Sequence, residues 1–318
     1  MKTITLEKTD LQVSPICLGT VNFGTSLKEE DALKQLDRYA EVGNLIDTAH
    51  VYGDWEPPIR GRSERVIGKW LRASGLRDRM VISTKGAHPR LETMHIGRVT
   101  PEDIALDLSE SLDCLQTDRV ELYFLHRDDP QVPVGEILDA LEEHKRAGRI
   151  RHYACSNWTL PRIIEAATYA EKAGYDGFVC NQLMWSLARI NPDGVSDKTM
   201  VLMDQATYDY HSRTRLNAMA YTSIAHGFFS RLEQNKPLRP FMLTRYQGER
   251  NDRIFEGLLR LSKAYGYSVM ELCFFYFQAH PFAAVALASC SAMEQMDDMI
   301  RALRADPPEE LLQAILAL

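Results

Sequence analysis

The 318-residue chain carries 37 Lys+Arg against 44 Asp+Glu, a formal net charge of −7, with 45% hydrophobic and 25% charged residues. That balance suits a globular protein with a sizeable core. It lacks the basic excess that nucleic-acid binding exploits, and it opposes docking on an anionic membrane surface. Charged residues interrupt the first eight positions, so no secretion signal is expected, and Gln278, His280 and Pro281 break the most apolar stretch, 272–290. The six cysteines form no C-x-x-C pair, which points to a reduced, cytoplasmic protein without structural metal.

In chain order, residues 4–13, centred on Thr9-Asp10, read as a β-hairpin that closes a barrel floor. Short apolar runs then begin at residues 16, 45, 80, 120, 150, 177, 216 and 284, mostly 27 to 40 residues apart. Runs of this kind suit strands buried on both faces, as in a parallel sheet. Helical spacing fills the intervals. Residues 29–42 place Ala32, Leu33, Leu36 and Ala40 on one face. Thr100-Pro101-Glu102-Asp103 is a helix start, with Thr as cap, Pro in the first turn and acids facing the dipole. Residues 134–146 run into Ala147-Gly148, and Pro161 opens a helix after Thr159. The 68-residue interval from 216 to 284 must hold extra structure, with residues 228–253 expected as a long loop on the catalytic face. Pro307-Pro308 precedes a terminal helix packed outside. The alternation predicts a single α/β domain over 1–318, a (β/α)8 TIM barrel with an N-terminal hairpin and an extra C-terminal helix. A doubly wound sheet is the alternative, weakened by the missing G-x-G-x-x-G after the first strand.

Barrel enzymes use residues at the carboxyl ends of strands. Those ends supply Asp47, Lys85 and His126, with Tyr52 in the loop beyond Asp47. Hydride reduction of a carbonyl leaves an oxygen that needs a proton, and a phenol can supply it if its pKa, ordinarily ~10, is tuned. An ammonium beside it favours the phenolate, so Lys85 is expected to lower the Tyr52 pKa. Asp47 would hold the lysine charged, and His126 would bond the carbonyl or assist the proton. Tyr52 is thereby the expected general acid, or base in the oxidative direction.

The stretch Leu45-Ile46-Asp47-Thr48-Ala49-His50-Val51-Tyr52-Gly53 resembles the D-T-A-x-x-Y-G signature of the aldo-keto reductases. Ser83-Thr84-Lys85 and Leu125-His126 resemble that superfamily's lysine and histidine segments. Further matches are Leu18-Gly19-Thr20 through Gly24, Cys155-Ser156-Asn157, Asn181-Gln182 and Ala220-Tyr221-Thr222-Ser223. The resemblance spans almost the whole chain and implies a nicotinamide dinucleotide extended across the barrel mouth. It implies that Ser156, Asn157 and Gln182 hold the carboxamide and that Tyr221 stacks on the ring. It further implies that Asp47 touches the adjoining ribose, with Gly19 and Thr20 among the cofactor contacts. Thr222, Ser223, Ile224 and Gly227 match a segment near the pyrophosphate. Ser289, Ser291 and Gln295 match the adenosine end, and Asp298-Met299 stands where relatives carry Glu-Asn. No Arg or Lys lies between 285 and 300 to clamp a 2′-phosphate. Family habit still favours NADP(H), with NAD(H) open.

Trp55, Trp158 and Trp185 follow Tyr52, Asn157 and Gln182, and are expected to line the mouth as substrate contacts together with His126. Arg127, Asp128 and Asp129 would suit a hydroxylated or anionic substrate, or pair among themselves. His88, His95, His211, His226 and His280 show no metal-ligand spacing. The function expected is an NAD(P)(H)-dependent interconversion of an aldehyde, ketone or keto sugar with its alcohol. A cofactor-sensing regulatory or binding subunit on a reductase fold is the alternative. A hydrolase would need a second carboxylate or a metal at the strand ends, where only Asp47 stands. Oligomeric state is not readable.

Overall fold

Ile4 and Val13 face each other across two short antiparallel strands, β1 (Ile4–Thr5) and β2 (Gln12–Val13), in a computed structural model that describes residues 2–318. Strands and helices then alternate: β3 (Ile16–Gly19), α1 (Glu29–Ala40), β4 (Leu45–Asp47), α2 (Arg62–Ser74), β5 (Val81–Gly86), α3 (Pro101–Leu115) and β6 (Val120–Leu125). Next come α4 (Val134–Arg146), β7 (Ile150–Ser156), α5 (Leu160–Ala173), β8 (Cys180–Met184), α6 (Gln205–Thr214) and β9 (Asn217–Tyr221). Four helices, α7 (Phe228–Glu233), α8 (Pro240–Tyr246), α9 (Glu249–Tyr265) and α10 (Val269–Phe275), precede β10 (Ala284–Ala288), α11 (Met293–Arg304) and α12 (Glu309–Leu316). Strands β3 to β10 are parallel and close into a barrel, with β10 hydrogen-bonded to both β9 and β3. This is the expected (β/α)8 architecture, and closure leaves the sheet without an edge.

Local chemistry explains the helix boundaries. Thr100 Oγ1 accepts the Asp103 N–H at 3.2 Å and Pro101 opens α3. Ser268 and Glu271 satisfy each other's backbone N–H groups in a capping box that starts α10. Two apolar layers form because successive side chains on a strand point to opposite faces. Cys17, Leu45, Val81, Leu122, Phe124, Ala154, Cys180, Met219 and Val285 fill the barrel interior. Ile16, Leu18, Ile46, Ile82, Tyr123 and Leu125 face the helices.

The hairpin closes the floor. Leu6, Leu11 and Val13 pack into the interior cluster, and Asn217 clamps Glu7, accepting its N–H at 2.8 Å and donating to its carbonyl at 3.0 Å. At the other extremity α12 buries Leu311, Leu312 and Ile315, and Leu318 packs so close to α9 that a Cβ on Gly257 would sit 2.3 Å from it. The terminal helix packs outside, as expected.

Two expectations need correction. The sixth apolar run does not start its strand where expected: β8 begins at Cys180 rather than 177, because Gly177 takes a left-handed φ of 72° and Phe178 packs on Trp158. The polar Asn181 and Gln182 that continue this strand hid it from an apolar reading. Residues 228–253 are not a long loop but largely helical, in α7, α8 and the start of α9. Their Gly and Pro residues punctuate short helices: Gly227 precedes α7, Pro240 starts α8 and Gly248 precedes α9, while Phe228, Phe229, Met242 and Tyr246 are buried.

Candidate active site

The two-residue period of a strand, continued upward from the interior layer, reaches the polar residues of one mouth. Cys17 leads to Gly19, Leu45 to Asp47, Val81 through Ser83 to Lys85, and Leu122 through Phe124 to His126. Ala154 leads to Ser156, Cys180 to Gln182, Met219 to Tyr221 and Val285 through Leu287 to Ser289. A barrel whose lower layers are apolar thus ends in a ring of inward polar groups. All except Lys85, which lies beneath the surface, line one cleft of about 680 Å³. Its size is within the ~300–1,000 Å³ typical of small-molecule sites.

Under the cleft lies an ion pair. Lys85 Nζ is 2.5 Å from Asp47 Oδ2, and both side chains are excluded from solvent. Burying two charges is expensive unless every polar atom is satisfied. Here Ser83 Oγ and Gln182 Nε2 donate to Asp47 Oδ1 at 2.8 and 3.0 Å. Lys85 directs its three N–H donors to Asp47, to the Thr48 carbonyl at 2.8 Å and to Tyr52 Oη at 3.3 Å. Burial opposes the Lys85 charge, but the adjacent Asp47 carboxylate, with Tyr52, holds its pKa above the ordinary value. Because Tyr52 Oη accepts from Lys85, its own proton is left to face the cleft that the half-buried ring lines.

The Tyr52 pKa is raised, not lowered as expected. Burial of the hydroxyl is the largest effect, and it outweighs the Lys85 ammonium, whose field is offset by Asp47. From the phenol's position a cation paired with a carboxylate is a dipole rather than a charge, so the phenol keeps its proton at neutral pH. His126 stands edge-on to the Tyr52 ring, centroids 5.9 Å apart. Burial, then His88, Lys85 and Arg127, push its pKa well below the ordinary value, so it is neutral.

The expected cofactor residues Gly19, Thr20, Ser156, Asn157, Gln182, Tyr221, Thr222, Ser223, Ile224, Gly227, Ser289, Ser291, Gln295 and Asp298 all line this cleft. A Cβ at Gly19 would come within 2.7 Å of Leu287 Cδ2 and Ser289 Oγ, so a side chain there would push both of these aside. Left-handed backbone at Thr222, Ala225, His226 and Gly227 (φ 49–79°) is strain of the kind that concentrates at ligand clamps. A cleft of this size, lined by polar groups and by a turn of small residues, can take a dinucleotide. Three groups have partners of their own. Asn157 Oδ1 accepts from Tyr221 Oη at 2.6 Å and from the Val201 N–H at 3.1 Å, so Asn157 anchors the Tyr221 ring. Gln295 Oε1 accepts from both the Ser291 backbone and hydroxyl, and Asp298 pairs with Arg301.

Of the three tryptophans only Trp55, 46% exposed, lines the cleft. Trp158 is fully buried, its indole N–H donating to the Arg127 carbonyl and its ring edge against Phe178. Trp185 is buried against Phe277 and His280, donating to Tyr276 Oη. Both are packing residues behind the mouth, because each lies just past the end of its strand, Trp158 two residues after Ser156 and Trp185 one after Met184, where the chain has left the inward-facing alternation. Sequence reasoning missed Arg231, Lys236 and Arg239, which line the cleft from α7 and the turn into α8. The signal was a cluster of cations within a segment expected on the catalytic face. His88, read from sequence only as a surface, packing or cofactor-adjacent residue, lines the cleft beside His126. Outside the cleft, His50, Asp107 and Glu110 converge, but Asp107 is engaged by Arg98 and the Ala87 N–H, and His50 by Glu110.

A closed parallel barrel with a buried lysine–carboxylate pair beneath a cleft-facing phenol narrows the class of protein to barrel oxidoreductases, and comparison with known proteins fixes it. The family model described as the aldo/keto reductase family matches residues 15–317, and the chain belongs to that family. It is therefore an oxidoreductase of carbonyl and alcohol groups. The chain is 28% identical to an uncharacterised oxidoreductase, YrpG, of Bacillus subtilis, over 98% of this chain and 93% of that one. It is 27% identical to the protein tas of Escherichia coli, over 96% and 94% of the two chains. A thermostable aldo-keto reductase crystallised with the inhibitor epalrestat shares the fold at a TM-score of 0.74 and 20% identity, covering 100% of this chain and 99% of the other. Among the described residues, no helix is long and apolar enough to cross a membrane.

Proposed function

We propose that the protein is an NADP(H)-preferring reductase in which Tyr52 protonates the carbonyl oxygen of a small aldehyde or ketone. The carrying observation is the Lys85 ammonium 3.3 Å from Tyr52 Oη, itself held by Asp47 and Thr48, at one end of a dinucleotide-sized groove. A reduced nicotinamide, when bound, supplies the hydride that joins the carbonyl carbon. The chain supplies the rest. Lys85 donates to Tyr52 Oη and fixes its orientation, so that the phenol O–H points at the carbonyl oxygen. As the carbon–hydrogen bond forms, that O–H transfers its proton, giving the alcohol and a phenolate beside the ammonium. The raised pKa of Tyr52 supports the acid role, since the proton is present at neutral pH. In the oxidative direction the Lys85 charge steadies the phenolate as base.

Support for the phosphorylated dinucleotide comes from Arg231, Lys236 and Arg239, cations that line the same cleft as Ser291 and Gln295. Residues 285–300 hold no cation, and these three supply the positive charge that a 2′-phosphate needs. Gly19, Thr20, Ser156, Gln182, Tyr221 and the 222–227 turn would hold the remainder.

The test is oxidation of NADPH and NADH followed at 340 nm across aldehydes, ketones and keto sugars. Turnover with NADPH favoured is expected. A preference for NADH above about tenfold would overturn the cofactor assignment. Nucleotide binding without turnover of any carbonyl would favour a cofactor-sensing subunit instead.

A further inference from the structure

His88 follows β5 by two residues and is not part of the proton-donating group, yet it lines the same cleft and its ring meets that of His126 edge-on at 4.8 Å. It is buried, and its Nδ1 lies 2.6 Å from the Pro89 carbonyl. A carbonyl only accepts, so Nδ1 carries the hydrogen and Nε2 of the neutral ring is a bare acceptor. The ring is neutral because burial, then the Arg127 charge, push its pKa down to about 4.

His126 has the opposite arrangement. Its Nδ1 is buried without a partner. An orphaned buried N–H is rarer and costlier than an orphaned lone pair, so the hydrogen sits on Nε2 as a donor. The cleft is thus lined by two donor groups, the Tyr52 phenol and the His126 ring, and by the His88 ring as an acceptor. A carbonyl oxygen can take both donors. Something on the neighbouring atom must then donate to His88.

An anion is disfavoured there. Arg127 gives Nε to Thr199 at 3.0 Å, Nη1 to the His126 carbonyl at 2.9 Å and Nη2 to Asp197 at 3.3 Å, so three of its five N–H donors are engaged and the Asp197 carboxylate already faces its charge. A carboxylate would also place lone pairs against the bare His88 nitrogen.

We propose that His88 is a specificity-determining residue that accepts a hydrogen bond from a hydroxyl on the carbon next to the carbonyl, so that the site takes α-hydroxy aldehydes and ketones. This deepens the proposed reductase reading and rests on it. The hydroxyl fills an otherwise unsatisfied acceptor, and an analogue without it leaves that acceptor dry and unpaired.

The experiment compares kcat/KM for matched pairs with NADPH, lactaldehyde against propanal and hydroxyacetone against butanone, with pyruvate as the anionic probe. The wild-type protein should favour the hydroxylated member by at least about tenfold. In His88→Leu that ratio should fall to near unity, because only the hydroxylated member loses a partner. His88→Gln, which keeps an acceptor oxygen, should retain part of the preference. A merely structural role for His88 would depress both members alike and leave the ratio unchanged, which contradicts the proposal. Equal use of each pair by the wild type, or a preference for pyruvate, overturns it while leaving the reductase reading intact. Failure to turn over any of these carbonyls sinks both.

Discussion

Replacing Lys85 by Met removes the ammonium from between Asp47 and Tyr52 and leaves a carboxylate in a site excluded from water. Breaking one partner of a buried pair costs about 3–5 kcal/mol. Asp47 keeps the Ser83 and Gln182 donors, which places the loss at the lower end of that range. At about 2.1 cal/mol/K of unfolding entropy per residue, a chain of 318 residues loses roughly 1.5 °C per kcal/mol, so the melting temperature should fall by roughly 5 °C. The Lys85 pKa is raised in the fold, so the stabilisation is fully present below its ordinary value of 10.5 and is lost only as pH rises above it. Melts near pH 7 and pH 9 should therefore show the same deficit. The decisive arm is the double variant Asp47→Asn with Lys85→Met. Removing both charges eliminates the unpaired ion, so the double variant should melt well above the single Lys85→Met variant although both lack activity. Thermal melts of the parent and the two variants measure this. A double variant no more stable than Lys85→Met, or a single variant within about 1 kcal/mol of the parent, would refute the pairing argument.

Reductive turnover should be flat from about pH 6 to about pH 9 and fall only above about pH 10, because burial raises the Tyr52 pKa and holds its proton. His126 is neutral throughout that range, so an inflection near 6.5 that disappears in His126→Gln would contradict its assigned state. Combined Arg231→Ala and Arg239→Ala substitution should weaken NADPH binding by at least about tenfold and NADH binding far less, as read by tryptophan fluorescence titration. Leu11→Ala, in the hairpin beneath the barrel, should cost about 2–5 kcal/mol in a denaturation experiment and leave kcat unchanged. A change in kcat would mean that the floor and the mouth are coupled.

The parts of this molecule that repeat were legible in the sequence. The strand runs, the Thr100 cap, the hairpin and the terminal helix follow from periodicity and turn chemistry that act over a few residues. The ring of polar residues at the mouth was legible for the same reason, since Asp47, Lys85 and His126 stand at strand ends. What distance in sequence conceals is what was missed. β8 continues through Asn181 and Gln182, polar residues that are buried because Asp47 and the Cys155 segment pair with them across the barrel. Trp158 and Trp185 follow mouth residues along the chain but turn outward to pack on aromatic side chains from other segments. Neither the direction of the Tyr52 pKa nor the state of His88 could be read from residue types. Both depend on burial by groups from other strands and loops. Arg231, Lys236 and Arg239 line the cleft although no cation lies in 285–300, a neighbourhood that only the folded arrangement reveals.

The central claim is that the Tyr52 hydroxyl gives its proton to the carbonyl oxygen. Single-turnover NADPH oxidation by Tyr52→Phe, beside nucleotide titration of the same variant, tests it most directly. The account predicts nucleotide affinity within about threefold of the parent and a chemical step slowed at least about a hundredfold. A variant that binds nucleotide normally and still reduces the carbonyl at the parental rate would contradict it.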